Sequence, residues 1–142
     1  MKFLNITLFN SLMIFLLTVS LFALSAPSFT QDYKVKKVGK AFSHPWGISV
    51  FDNDEVLITE RGGHLFKVNI ENGSTLKISN LPEVFNVRQG GLLDVLIDKE
   101  SVSERNVYIC YSSKVAGGSS TTLMAGTLKE DKLISKQILF KS

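Results

Sequence analysis

Cysteine is nearly missing from the 142 residues: Cys110 stands alone, so the chain has no intrachain disulfide framework and no four-thiolate zinc site. Histidine is almost as scarce. His44 and His64 are the only two, with no metal-ligand spacing between them. Neither charge sign dominates, with 16 basic and 13 acidic residues and a net charge of +3. The basic residues are scattered, which removes the footprint of a nucleic-acid binder. Nucleophile elbow, Walker loop and dinucleotide fingerprint are all absent, and so, after Gln31, is any helical period of apolar residues. What remains is 44% hydrophobic and 20% charged, the balance of an ordinary globular chain.

The first thirty residues stand apart. Lys2 is the only charge before Asp32, and the stretch between them is mostly apolar, ending in small residues around Ser25–Ser28. A positive start, an apolar middle and a small-residue end make a secretory signal peptide, with cleavage expected after Ala26 or Ser28. The rival is an uncleaved membrane anchor, since Phe3 to Ala26 reaches the roughly 20 residues that span a bilayer; Asn5 and Asn10 weaken it. Either way the protein is expected to be exported, periplasmic or extracellular, and to touch a membrane only if the signal stays uncleaved. Residues 1–30 are thus set aside, and 31–142 is the folded part. Its 15 basic residues (16 less Lys2) nearly balance its 13 acidic ones.

That part reads as strand, turn, strand. Residues 33–38, Tyr-Lys-Val-Lys-Lys-Val, form a lone alternating run. Strands are then predicted over 46–51, 55–60, 64–70 and 74–79, separated by Asp52-Asn53-Asp54, Arg61-Gly62-Gly63 and Glu71-Asn72-Gly73, all turn chemistry. A longer connection over 81–91 follows. The pattern then restarts at 92–97, 106–113, 121–128 and 132–140, with Lys114–Ser120 expected to be flexible. Two successive four-stranded meanders, each about 45–50 residues long, match the period of β-propeller blades. The leading run 33–38 suits a closing strand. Two blades do not close a ring, which takes at least about four, so the chain reads as all-β and as part of a larger propeller.

Few residues offer chemistry. Cys110 lies in a strand pattern and is expected to be a small buried hydrophobe rather than a reactive thiol. Asn72-Gly73-Ser74 matches a glycosylation acceptor, but the turn reading is sufficient without it. Glu60 and Asp94 could pair as acid and base. The stronger reading is structural, with Glu60 ending a strand and Asp94 capping or bridging a blade edge. Gln89 is the informative position. It precedes Gly90-Gly91, which let the backbone turn sharply or approach a neighbour closely, and it opens an inner strand. A carboxamide there supplies both a donor and an acceptor, suited to a sugar hydroxyl or a quinone oxygen; the alternative is a turn glutamine bonded to its own backbone.

Taken together, residues 43–73 and 89–113 resemble the soluble, PQQ-dependent glucose/sorbosone dehydrogenases, also called aldose sugar dehydrogenases. The resemblance rests on Pro45-Trp46, Thr59-Glu60-Arg61, the six residues Gln-Gly-Gly-Leu-Leu-Asp at Gln89–Asp94, Asn106-Val107-Tyr108 and Tyr111-Ser112. It implies a six-bladed propeller of which 31–142 supplies the first two blades and the closing strand. It implies PQQ and calcium as cofactors, an aldose as substrate, and oxidation at C1 with hydride passing to PQQ and a histidine taking the hydroxyl proton. Gln89 is the one residue carried over, at the PQQ and sugar pocket. The family's Pro-Asp-Gly turn is replaced by Asp52-Asn53-Asp54, and its His-Pro-Asp-Phe by Asp98-Lys99-Glu100-Ser101. The general-base histidine belongs after the strand ending near Phe140. Neither His44 nor His64 matches it, so no catalytic residue and no metal ligand is assigned, and the 142 residues alone are expected to be inactive. Two other readings stand beside this one: a non-catalytic propeller that binds or scaffolds, and a self-sufficient small β protein.

Overall fold

The computed structural model describes residues 31–100 and 105–142. The export segment read at 1–30 lies outside the described residues. Among those described, no helix is long and apolar enough to cross a membrane. The chain divides into two units, Met1–Val35 and Lys36–Ser142, and the second carries all eight described strands.

β1 (Pro45–Val50), β2 (Glu55–Glu60), β3 (His64–Asn69) and β4 (Thr75–Ile78) form one antiparallel sheet in chain order. β5 (Leu92–Ile97), β6 (Arg105–Val115), β7 (Gly118–Lys129) and β8 (Lys132–Lys141) form the second in the same way. Each predicted strand of the two meanders is present, because the β-branched runs and the turn residues between them point to one answer. The hairpins behave as their sequences demand. Gly63 and Gly73 turn with φ of 97° and 75°, conformations that residues with a Cβ rarely adopt.

One expectation differs from what is observed. Lys114–Ser120 is not a flexible link: β6 and β7 run on through it to a tight turn, with Val115 opposite Gly118. Residues 33–38 carry no strand pairing among the described residues, and Tyr33 and Val35 are exposed. The closing-strand reading assigns its partner to a last blade of the ring rather than to either of these two sheets.

The two sheets stack face to face. Leu57, Leu65 and Ile78 of the first meet Leu92, Val95, Val107 and Ile109 of the second, and all are buried. Alternation explains the selection: in β6, Val107, Ile109 and Tyr111 point into this layer while Tyr108 and Cys110 point away. The outer strands are joined as well. Ser79 N–H donates to Asp131 O at 2.7 Å, and Leu133 N–H donates to Ser79 O at 3.1 Å. Ser79 and Lys132 thereby form a parallel bridge between the rims of the sheets.

Candidate functional site

Register brings the informative residues to one end. β2 ends at Glu60, β5 begins at Leu92, and Leu92 lies opposite Tyr111 near the far end of β6. The β2–β3 hairpin and the connection carrying Gln89 therefore share one end of the two sheets.

Gln89 sits on a turn closed by Gly90 N–H donating to Val87 O at 2.9 Å. Both stems of that turn are gripped by the backbone of Ser112. Phe85 N–H donates to Ser112 O at 2.7 Å, and Ser112 N–H donates to Gly91 O at 2.8 Å. Arg88, beside Gln89, has φ of 55°, a conformation non-glycine residues keep only where the surroundings fix it. The Gln89 side chain is exposed and makes no hydrogen bond among the described residues. Its carboxamide is thus turned outward rather than folded onto its own backbone.

Thr59-Glu60-Arg61 supplies the other side of this end. Thr59 is fully buried. Its hydroxyl accepts from Gly47 N–H at 2.8 Å and donates to Leu93 O at 2.7 Å, so one side chain joins β1, β2 and β5. Arg61 works through its backbone: its N–H donates to His44 O at 3.1 Å, and its carbonyl accepts from Leu92 N–H at 3.0 Å. Gly91 is required at this crossing. With φ of 150°, a Cβ there would lie 2.2 Å from Arg61 O.

Glu60 is structural. One carboxylate oxygen accepts Ser43 N–H at 2.7 Å and the other meets His64 Nδ1 at 3.0 Å. Burial works to raise its pKa, but the Ser43 hydrogen bond, the His64 hydrogen bond and charge, and the Lys40 charge outweigh it, so the carboxyl stays below the ordinary glutamate value. Such a group is held as an anion, not poised to exchange a proton. Asp94 bonds its own strand, Oδ1 accepting from Val95 N–H at 2.9 Å, and lies over Gly47, where a Cβ would come within 2.4 Å of that oxygen. Glu60 and Asp94 thus have separate partners and do not form an acid–base pair. Cys110 is half-buried rather than buried, because its face of β6 points away from the layer between the sheets. Burial, with a smaller contribution from the Asp94 charge, raises its thiol pKa, which keeps it protonated and a weak nucleophile.

His44 and His64 stay apart from Gln89 in role. His44 Nδ1 lies 3.2 Å from its neighbour Ser43 Oγ, and His64 serves Glu60. Among the described residues no three of His, Cys, Asp and Glu gather where they could hold a metal ion. A quinone or sugar oxygen does find one fitting group, the unpaired carboxamide of Gln89. Sequence reasoning picked out Gln89 and the glycine pair, but it missed Thr59 as a tie between sheets and Ser112 as the grip on the turn. For Thr59 the signal was a β-branched hydroxyl residue two positions after Leu57, on the face that alternation turns to the apolar layer.

Two four-stranded antiparallel meanders stacked face to face, in chain order, are successive blades of a β-propeller. The family model described as Glucose / Sorbosone dehydrogenase matches residues 42–142, and the chain belongs to that family. The aldose sugar dehydrogenase YliI of Escherichia coli (strain K12) is 34% identical over 90 residues, 62% of this chain and 24% of that protein. The crystal structure of the soluble aldose sugar dehydrogenase from Escherichia coli in the apo-form superposes with a TM-score of 0.64 at 31% identity, covering 70% of this chain and 30% of that one. The PQQ-bound aldose sugar dehydrogenase of Streptomyces coelicolor gives a TM-score of 0.68 at 18% identity, over 76% and 33% of the two chains, a likeness of fold. The chain spans about a quarter to a third of the length of these relatives.

Proposed function

We propose that these blades belong to an exported, PQQ-dependent aldose sugar dehydrogenase, active in the periplasm or outside the cell, and that they contribute Gln89 to its site. The observation that carries this reading is the family match across both blades; the outward, unpaired carboxamide of Gln89 supports it. PQQ, when bound, supplies the acceptor for the hydride that leaves C1 of the sugar. The part played by this chain is orientation. The Gln89 amide donates to a sugar or quinone oxygen and its carbonyl accepts from a sugar hydroxyl, which holds the reacting carbon in register. The proton-accepting histidine and the calcium ligands belong to sequence outside the two blades.

The test is dye reduction with glucose, PQQ and calcium by the protein that carries these blades. Gln89→Ala is expected to lower kcat/KM about tenfold, the worth of one lost orienting hydrogen bond. The 142 residues alone are expected to give no turnover. Steady turnover by them, or wild-type kinetics in Gln89→Ala, overturns the corresponding part of the reading.

A further inference from the structure

We infer that Thr59 is a positioning residue for Gln89, acting across the boundary between the blades; the inference rests on the reading of Gln89 given above. Among the described residues the Gln89 side chain has no anchor, so its placement is inherited from the backbone of residues 85–93. That backbone is tied in two directions. Ser112 holds it to its own blade, through Phe85 N–H and Gly91 O. The first blade holds it through two bonds, Leu92 N–H to Arg61 O at 3.0 Å and Thr59 Oγ1 to Leu93 O at 2.7 Å.

Of those two ties to the first blade, only the Thr59 bond is made by a side chain. Its hydroxyl also accepts Gly47 N–H at 2.8 Å, so the donor proton is free for Leu93 O, a much closer acceptor than Gly47 O at 3.5 Å. The site is fully buried, where a lost bond leaves its partners without water to replace it. Gly91 has no Cβ because the Arg61 carbonyl occupies that space. The stem of the Gln89 turn therefore lies directly against the strand end that Thr59 fixes. Loosening Thr59 lets the β2 end and the 91–93 segment slide relative to each other. The carboxamide two residues before Gly91 then loses its aim without losing its chemistry.

The experiment uses the protein that carries these blades, in apo and reconstituted forms, with Thr59→Val, Thr59→Ser, Gln89→Ala and the Thr59→Val/Gln89→Ala double variant. In the apo protein, Thr59→Val is expected to speed amide exchange at Leu92 about tenfold or more while Ile109 in the β5–β6 ladder is unchanged. In the reconstituted enzyme it is expected to raise KM for the sugar more than it lowers kcat, with Thr59→Ser restoring both. On the Gln89→Ala background Thr59→Val is expected to cause no further loss in kcat/KM, because the group it aims is gone. Independent, multiplying losses, an unchanged Leu92 exchange rate, or no rescue by serine overturns the positioning role. Wild-type kinetics in Gln89→Ala alone instead overturns the reading of Gln89. If Thr59→Val does not fold, wild-type exchange decides: Gly47 and Leu92 amides are expected to open together, and Leu92 exchanging more than about tenfold faster than Gly47 overturns the inference.

Discussion

The two blades have the same strand order, yet they are finished differently. The first is built of short strands, ending in the four residues of β4, while β6, β7 and β8 of the second run to 11, 12 and 10 residues. On the face turned away from the second blade, the first is partly roofed by its own leading segment. Phe42 packs on Phe66 with ring centroids 5.5 Å apart, and the Lys40 ammonium sits 4.4 Å over the Phe66 ring. Phe66, under this cover, is buried. The corresponding face of the second blade has no such cover among the described residues, and Leu96 and Phe140 are 62% and 57% exposed. Apolar alternation therefore marks both faces of each blade as fit for burial. What is layered against a face decides which side chains are buried.

The largest expected effect separates the shared layer from an open face. Ile109→Ala removes a fully buried side chain from between the blades and is expected to cost about 2–5 kcal/mol in urea unfolding. Ile48→Ala trims a side chain already 67% exposed on β1 and is expected to cost less than about 1 kcal/mol. Similar losses for the two would mean that the open face is covered in solution, and would erase the contrast between the faces.

The same contrast explains what the sequence made legible. Strand existence was readable because 55–60 and 92–97 are bounded by turn residues and rich in β-branched side chains, and β2 and β5 match those bounds. The face a residue occupies was readable only relative to its neighbours. Alternation set Cys110 opposite Ile109, but it could not say that one face meets a second sheet and the other does not. The run at 33–38 alternates as a strand would, yet pairing depends on a partner that local pattern does not contain. At the site, Gln89 was legible through the glycine pair. Thr59 was not, because its two bonds go to residues 12 and 34 positions away.

A smaller effect probes where the blades cross. Gly91→Ala places a Cβ against the Arg61 carbonyl in a backbone conformation unfavourable to alanine, and is expected to cost about 1–3 kcal/mol. Gly62→Ala, on the neighbouring hairpin, meets nothing within 4 Å and is expected to be close to neutral. If thermal unfolding gave equal shifts for both, the close approach of the blades at Gly91 would carry no energetic weight.

The smallest expected effect belongs to the first blade alone and is read by pH. Glu60 titrates below 4.5, the ordinary glutamate value, so in acid the unfolded chain takes up its proton before the folded one does. Stability from this carboxylate is therefore complete above that ordinary value and is lost as pH falls through the lower folded value. Glu60→Gln keeps an acceptor for Ser43 N–H but does not titrate. Its stability is expected to fall below that of the wild type at neutral pH, with the gap closing as pH drops below 4.5. The segment from Lys40 to His44 should feel this more than the second blade does, because Ser43 N–H and the Lys40 charge both look to Glu60. The protection of the Ser43 amide, taken relative to its intrinsic exchange rate at each pH, is expected to fall on acidification in the wild type while the protection of Ile109 holds. A gap between wild type and Glu60→Gln that widened in acid would reverse the sign, and would show that Glu60 is held neutral rather than as an anion.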